Sequence, residues 1–108
     1  MRTQRLIIWF STLLISLNGG AVLADAESDY NQTCAACHSL GVAGAPRIGD
    51  TDAWKDRIAR GNDVLFENAI KGYTGESGVM PPKGGFNGLS DDQVRAIVNY
   101  MVSRSSDG

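Results

Sequence analysis

The segment Cys34-Ala35-Ala36-Cys37-His38 decides how the rest of this 108-residue chain is interpreted. Its two cysteines stand three positions apart, so both sulfurs emerge on one side of a helical turn. A histidine follows at once, and this is the spacing of covalent haem attachment. Two thiols so placed can form thioethers with the two vinyl groups along one porphyrin edge. The segment therefore predicts one haem c, covalently bound by Cys34 and Cys37, with His38 as an axial iron ligand.

Three other uses of this segment remain open at the level of sequence. A structural disulfide between Cys34 and Cys37 would close a very small ring and would not need a histidine. A thioredoxin-like dithiol would need a βαβ pattern, which the sequence does not show. A zinc site would need four ligands, and the chain offers only the two cysteines and His38 before carboxylates must be used.

The second axial ligand must come from another residue type, because His38 is the only histidine in the chain. Methionine is the natural candidate, since Met/His ligation is an established haem arrangement that raises the reduction potential. Met101 falls on the apolar stripe of a predicted helix, where a core residue is expected. Met80 stands instead in a segment rich in proline and glycine, which permit tight approach of the backbone to a planar ligand. Met80 is therefore predicted as the second iron ligand.

The body of the chain after residue 25 is predicted to be all-α, because its Val and Ile residues fall at helical spacings. The clearest helix runs from Asp91 to about Ser103, with capping-box spacing at Ser90 and Gln93. Its apolar stripe comprises Val94, Ile97, Val98 and Met101. Shorter helices are predicted over residues 27–36, 52–60 and 63–71, the last of them capped by Asn62. Two glycine-rich loops, 39–49 and 73–89, are long for so small a domain and are predicted to wrap a bulky group.

Residues 1–24 have the pattern of a cleaved secretory signal peptide. Arg2 and Arg5 provide a basic start, and the apolar run that follows, Leu6 to Leu17, ends in a small-residue site at Ala24. That run is shorter than the roughly 20 residues of a membrane-spanning helix. Cleavage after Ala24, with Ala26 as the alternative site, would leave residues 25–108 as a single domain in the periplasm. An uncleaved membrane anchor is the competing interpretation.

The charge of residues 25–108 argues against a nucleic-acid partner. This part of the chain holds 8 basic and 12 acidic residues, for a net charge of −4, whereas a nucleic-acid binder needs a basic surface. Only 32 of its 84 residues are apolar, and 9 of these are alanine. So few large apolar side chains predict that something besides side chains fills the middle of the domain.

Taken together, several segments resemble the small class I bacterial cytochromes c, and cytochrome c₅ among them. The resemblance spans residues 28–103 and is carried by 34–38, Gly44-Ala45-Pro46, Gly49-Asp50, Trp54, Met80-Pro81-Pro82-Lys83-Gly84-Gly85 and 89–91. It implies the class I cytochrome c fold, in which about four short helices wrap around one covalently bound haem. Where cytochrome c₅ sequences carry a second cysteine pair, this chain has Phe86 and Leu89.

The same resemblance implies roles for residues around the haem. The carbonyl of Pro46 is expected to accept the ring N–H of His38, which fixes the orientation of the imidazole. Arg47 and Trp54 are expected near the haem propionates. Candidate walls of the haem pocket are Leu40, Ile48, Ile58, Pro81 and Ile97.

With both axial positions filled, the iron has no open site for a substrate, so catalysis there is disfavoured. The expected function is a periplasmic one-electron carrier of a respiratory chain, cycling between Fe(III) and Fe(II), and not an enzyme. Its expected partners are redox proteins: a quinol-oxidising complex as donor and a terminal oxidase or periplasmic reductase as acceptor. We expect a monomer, with no small-molecule substrate and no nucleic acid. The alternatives are a haem sensor or peroxidase-like enzyme with a labile methionine ligand, and a membrane-anchored electron-transfer subunit.

Overall fold

A computed structural model describes Thr12 and residues 18–107 of the chain, with side chains from residue 24 onward. These residues form five α-helices and one two-stranded antiparallel hairpin. The helices are α1 (Asn18–Gln32), α2 (Ala35–His38), α3 (Thr51–Ala59), α4 (Asn62–Lys71) and α5 (Asp91–Ser105). The strands are β1 (Tyr73–Gly75) and β2 (Gly78–Met80), and 3₁₀ turns lie at Val42–Gly44 and Pro82–Gly85. Most of the predicted signal peptide lies outside the described residues, and no helix within them is long and apolar enough to cross a membrane.

Helix α5 confirms the strongest prediction made from the sequence. It begins at Asp91 as expected and ends at Ser105, two residues later than predicted. The Ser90 hydroxyl accepts the Gln93 backbone N–H while the Gln93 side chain accepts the Ser90 N–H, so the capping box is complete. All four residues of the predicted stripe are buried.

The first predicted helix, 27–36, is wrong at both ends. Helix α1 begins at Asn18 and ends at Gln32, so it runs through the predicted cleavage site at Ala24. It ends early because the Thr33 hydroxyl donates to the Asp29 carbonyl at 2.6 Å, and a threonine that bonds back to its own helix in this way tends to bend it. The Thr33 N–H then bonds three residues back, to the Tyr30 carbonyl at 3.2 Å. A separate short helix, α2, carries the cysteine motif.

The middle helices differ from prediction by single residues at their ends, and α3 ends at Ala59, one residue before its predicted end. Asp50 accepts the Ala53 N–H at 3.2 Å and caps α3 one residue earlier than expected. The expectation that Asn62 caps α4 is wrong, because Gly61, at φ 97°, occupies the cap position and Asn62 is already helical. The Asn62 side chain instead lies 3.5 Å from the side chain of Asn99 on α5.

The β-hairpin inside loop 73–89 is the one departure from an all-helical body. Tyr73 pairs with Met80, Thr74 with Val79 and Gly75 with Gly78. Strands of three residues are too short to show an alternating apolar pattern, so the periodicity of the sequence does not reveal them. The hairpin matters because it fixes the backbone on the N-terminal side of Met80 and ends with that residue.

Two apolar clusters meet along α5. The first comprises Tyr30, Trp54, Ile97 and Met101, and the second comprises Ala69, Val94 and Val98. Leu89 packs against both clusters, whereas Phe86 is 39% exposed. Helix α1 crosses α5 where the rings of Tyr30 and Tyr100 lie 5.5 Å apart. Met101 is therefore a core residue, as its position on the stripe predicted.

The two long loops touch each other through backbone atoms. A side chain on Gly44 would collide with the Ser77 carbonyl, and one on Gly78 would collide with the Ala43 carbonyl. Both glycines also have positive φ, 79° and 151°, a conformation that only glycine adopts readily. This crossing holds the loop that carries Pro46 against the hairpin that carries Met80.

Candidate haem-binding site

The cysteine motif occupies a single tight turn. Cys34 is the cap residue of α2, and its carbonyl accepts the N–H groups of Cys37 at 3.2 Å and His38 at 3.0 Å. Both thiols are free and partly buried. Burial raises the pKa of the Cys34 thiol, which also accepts a hydrogen bond from the Thr33 hydroxyl at 3.4 Å. The structure thus presents two unlinked thiols within one turn, as thioether formation requires.

His38 is held in one orientation by the loop that follows it. The side chain is 8% exposed, and its Nδ1 lies 2.8 Å from the Pro46 carbonyl oxygen. Because a carbonyl only accepts, Nδ1 carries the proton and Nε2 keeps its lone pair. Burial lowers the pKa of His38, so the imidazole stays neutral near pH 7. The His38 carbonyl in turn accepts the Ile48 N–H at 2.8 Å, so loop and histidine fix each other.

Trp54, on α3, bonds to the loop that carries Pro46 and Arg47. Its indole N–H donates to the Arg47 carbonyl at 2.8 Å, and its buried ring lies 6.2 Å from the His38 ring, centroid to centroid. The carbonyls of two consecutive residues, Pro46 and Arg47, therefore accept hydrogen bonds from the side chains of His38 and Trp54. The Arg47 residue is exposed. Contact of Arg47 or Trp54 with haem propionates stays a prediction.

Met80 is the last residue of β2 and lies half-buried against the second apolar cluster. Pro81 follows in an extended conformation, and the 3₁₀ turn of residues 82–85 comes next. Met80 thus lies between a paired strand and a proline-stiffened turn, on the loop that crosses the loop of Pro46. Iron ligation by Met80 stays a prediction as well.

The proposed pocket walls lie in two kinds of environment. Ile97 is fully buried in the first cluster, and Ile48 and Ile58 pack partly buried against it. Leu40 is 77% exposed and Pro81 is exposed too. Only the first three belong to the apolar core around His38 and Trp54.

The donor set fits haem c better than it fits zinc. Among residues 18–107 no three His, Cys, Asp or Glu side chains lie together in a way that could hold a metal ion, so the zinc alternative gains no support. The groups present are two free thiols on one turn, a neutral imidazole with an uncommitted Nε2 and a thioether on the neighbouring loop. Thiols take part in thioether formation, and imidazole and thioether are axial ligands of haem iron.

The sequence is similar to known proteins over most of its length. Residues 21–101 match the family model described as cytochrome c oxidase, cbb3-type, subunit III. Cytochrome c-555 of Chlorobaculum tepidum is 47% identical over 96 residues, which cover 88% of this chain and 89% of that protein. Cytochrome c5 of Ectopseudomonas mendocina is 43% identical over 88 residues, which cover 80% of this chain and 94% of that protein. The chain belongs to the cytochrome c family.

A solved structure agrees with this assignment. It is described as an electron transfer complex of nitrite reductase with cytochrome c, and the matching chain is 38% identical, with a TM-score of 0.67. The match covers 75% of this chain and 94% of the other. Our protein therefore has the class I cytochrome c fold and carries one covalently bound haem c. As a small cytochrome c, it is a monohaem electron carrier.

The contacts of two side chains near the site, Ser105 and Lys83, were not predicted from the sequence. The Gly49 N–H donates to the Ser105 hydroxyl at 2.9 Å, across 56 residues of chain. The Lys83 ammonium donates to the Leu89 carbonyl at 2.7 Å and pairs with Asp91 at 2.9 Å. Ser105 could have been found, because it stands four residues after Met101 and continues the buried stripe with a polar side chain. Nothing in the sequence indicates where Lys83 points.

Proposed function

We propose that this cytochrome c is a periplasmic one-electron carrier of a respiratory chain. In this proposal Cys34 and Cys37 form the thioethers, and His38 and Met80 are the axial ligands of the iron. Haem c, when bound, supplies reversible one-electron exchange at its iron. The observation that carries the proposal is the 2.8 Å hydrogen bond between His38 Nδ1 and the Pro46 carbonyl, on a buried imidazole next to two free thiols.

The geometry of His38 supports its role as a ligand. A metal-binding histidine commonly donates its other ring N–H to a carbonyl or carboxylate, which fixes the tautomer and raises the basicity of the ligating nitrogen. His38 has this arrangement. The low exposure of the ring and the lowered pKa keep Nε2 free of a competing proton.

Met80 is supported as the second ligand by its place on the chain. The other methionine of the described residues, Met101, is 4% exposed and packs among Tyr30, Trp54 and Ile97. Met80 lies instead on a loop that contacts the loop of Pro46 where Gly44 and Gly78 cross. A thioether ligand raises the reduction potential of haem, which suits a carrier late in an electron-transfer chain.

Electron transfer is favoured over catalysis because two protein ligands leave no iron position for a substrate. The relatives, all named as cytochromes, agree with this choice. A haem sensor or peroxidase-like enzyme would need Met80 to leave the iron readily. That alternative is an outcome of the first experiment below.

The expected partners are redox proteins that dock transiently. A related cytochrome c is found in complex with nitrite reductase, which supports a periplasmic reductase as one class of acceptor. We propose a quinol-oxidising complex as donor, with a terminal oxidase as the other class of acceptor. The net charge of −4 after residue 25 favours partners with basic docking surfaces, and such steering weakens as salt is raised.

The absorption spectrum of the ferric protein tests the ligand assignment. We expect the weak long-wavelength band of a sulfur-to-iron bond in the parent and in Met101→Leu, and its loss in Met80→Ala. Met101→Leu is the matched control, since it removes the other thioether with little change of volume. A parent protein without the band that binds carbon monoxide rapidly once reduced would refute His38/Met80 ligation and favour the sensor or enzyme.

Intact-mass measurement of the protein from a bacterial host tests the processing and the cofactor. We propose that residues 1–24 are removed and that residues 25–108 form the single mature domain in the periplasm. The expected mass is a chain that starts at Asp25 plus one haem, and Cys34→Ser/Cys37→Ser should lack the added haem. A mass that retains residues 1–24 would favour the membrane-anchored subunit.

A further inference from the structure

Lys83 has a backbone conformation that its residue type disfavours. Its φ is 53°, and it is one of two non-glycine residues with positive φ among the described residues. Its neighbour Gly84 has nearly the same φ, 63°, without the steric penalty. A glycine at position 83 would remove the strain, so the lysine side chain needs a reason to be there. An observed backbone outlier of this kind often marks a functional position.

The Lys83 side chain joins two separate elements. Its Nζ donates to the Leu89 carbonyl at 2.7 Å and lies 2.9 Å from Asp91 Oδ1, the first residue of α5. The side chain is only 20% exposed. Both contacts involve a charged group, and hydrogen bonds of that kind are about twice as strong as neutral ones. Lys83 also holds the pKa of Asp91 below its ordinary value, so the carboxylate is charged near pH 7.

The other ion pairs on the surface are different in kind. Lys71 pairs with Glu67 one turn away on α4, and the two side chains are 72% and 62% exposed. Arg95 pairs with Asp92, three residues away on α5. Such exposed pairs within one helix contribute little to stability. Glu27 and Arg104 join α1 to α5, but their charged atoms are 4.0 Å apart and both side chains are more than half exposed. Among the described residues, Lys83 is the most buried member of any ion pair, and its pair with Asp91 alone connects the loop that holds Met80 to the start of a core helix.

The position of Met80 depends on anchors on both of its sides. On the N-terminal side it is paired with Tyr73 in the hairpin. On the C-terminal side Pro81 is exposed. The first side chain after it that bonds to the segment at the start of α5 is that of Lys83. Helix α5 is itself fixed by Val94 and Ile97, which are buried. A bond from Lys83 to the start of α5 therefore limits how far the loop can move from the core.

We propose that Lys83 is a positioning residue: by bonding to the Leu89 carbonyl and the Asp91 carboxylate, it holds the Met80 segment against the start of α5 and so keeps the Met80 sulfur on the iron. The inference rests on the His38/Met80 ligation proposed above. It adds that the lifetime of the iron–sulfur bond is set by a side chain that touches neither sulfur nor iron.

Imidazole binding to the ferric holoprotein measures how often Met80 leaves the iron, because the added ligand can enter only when the sulfur is off. We expect Lys83→Gly and Lys83→Met to raise the apparent affinity for imidazole about tenfold, which corresponds to about 1.4 kcal/mol. Asp91→Asn keeps the Leu89 contact and should give a smaller rise. Lys83→Arg, which keeps the charge, should stay near the parent, and the exposed Lys71→Met is the matched control that should not change.

Lys83→Gly separates positioning from general stability. It removes the contacts with the Leu89 carbonyl and Asp91 but also relieves the unfavourable φ. Its thermal midpoint should therefore stay close to that of the parent while its affinity for imidazole rises. The reduction potential should fall at the same time, since less of the iron carries the thioether. A general structural role would instead lower the thermal midpoint and leave the ligand exchange of the folded protein unchanged.

Met80→Ala shows which of the two proposals has failed. If Met80→Ala binds imidazole far more tightly than the parent and both Lys83 variants match the parent, the role of Lys83 is refuted and the ligation stands. If Met80→Ala binds imidazole as the parent does, methionine ligation is wrong and the role of Lys83 falls with it.

Discussion

Removing the Ser105 hydroxyl should loosen the loop whose Pro46 carbonyl bonds to His38. Ser105 is 1% exposed, and its oxygen accepts the Gly49 N–H at 2.9 Å. In Ser105→Ala the Gly49 N–H loses this partner, and the buried hydroxyl is removed from the packed face of α5. Gly49 is itself exposed, so the expected loss is that of one ordinary hydrogen bond, about 0.5–1.5 kcal/mol. For a domain of this size each kcal/mol corresponds to roughly 4–8 °C in thermal midpoint, so a loss of about 1 kcal/mol predicts a fall on the order of 6 °C.

Thermal unfolding of the holoprotein, followed by far-ultraviolet circular dichroism, measures this change. Ser103→Ala is the matched control on the same helix, because the Ser103 hydroxyl is exposed and donates only to the Tyr100 carbonyl within α5. We expect Ser103→Ala to stay within about 0.5 kcal/mol of the parent. Equal midpoints for the two variants would mean that water replaces the lost partner of Gly49, and the reasoning from burial would be wrong.

Two further predictions concern the loop crossing and the Lys83 ion pair. Gly44→Ala should lower the free energy of unfolding, measured with denaturant, more than Gly49→Ala does. Both glycines have φ near 80°, so either alanine costs about 1–3 kcal/mol of backbone strain. Only at Gly44 does the new side chain also collide with a backbone carbonyl, that of Ser77. Equal losses would contradict the crossing. Because Lys83 lowers the pKa of Asp91, the pair stabilises the fold above the ordinary Asp pKa of about 3.9, and this contribution is lost as pH falls through the lower, folded value. Asp91→Asn should therefore be less stable than the parent at pH 7, and the difference in free energy of unfolding should shrink as the pH falls below the ordinary Asp pKa. A difference independent of pH would show that Asp91 acts through something other than its charge.

Much of the fold could be predicted because its signals are local. The capping box at Ser90 and Gln93 and the stripe from Val94 to Met101 are patterns within one helix, and α5 follows them. The break at Thr33 was missed because a single hydroxyl bonding back to Asp29 outweighs the helical preference of the following residues. The hairpin that ends at Met80 was missed because its strands are held by each other and by the loop crossing, which no periodicity records.

The sequence alone was enough to predict the chemistry of the site. Cys34, Cys37 and His38 lie within one turn, so their relative positions follow from the local backbone, and the spacing indicates haem attachment without knowledge of the fold. The hydrogen bond from His38 to Pro46 spans eight residues and was implied by the resemblance to known cytochromes c. Only the tertiary structure decided which elements support that chemistry: Ser105 beneath Gly49, and Lys83 at the start of α5. The first contact joins residues that are 56 positions apart, and the second starts from a turn with a strained backbone. Both depend on how the helices pack and not on any local pattern.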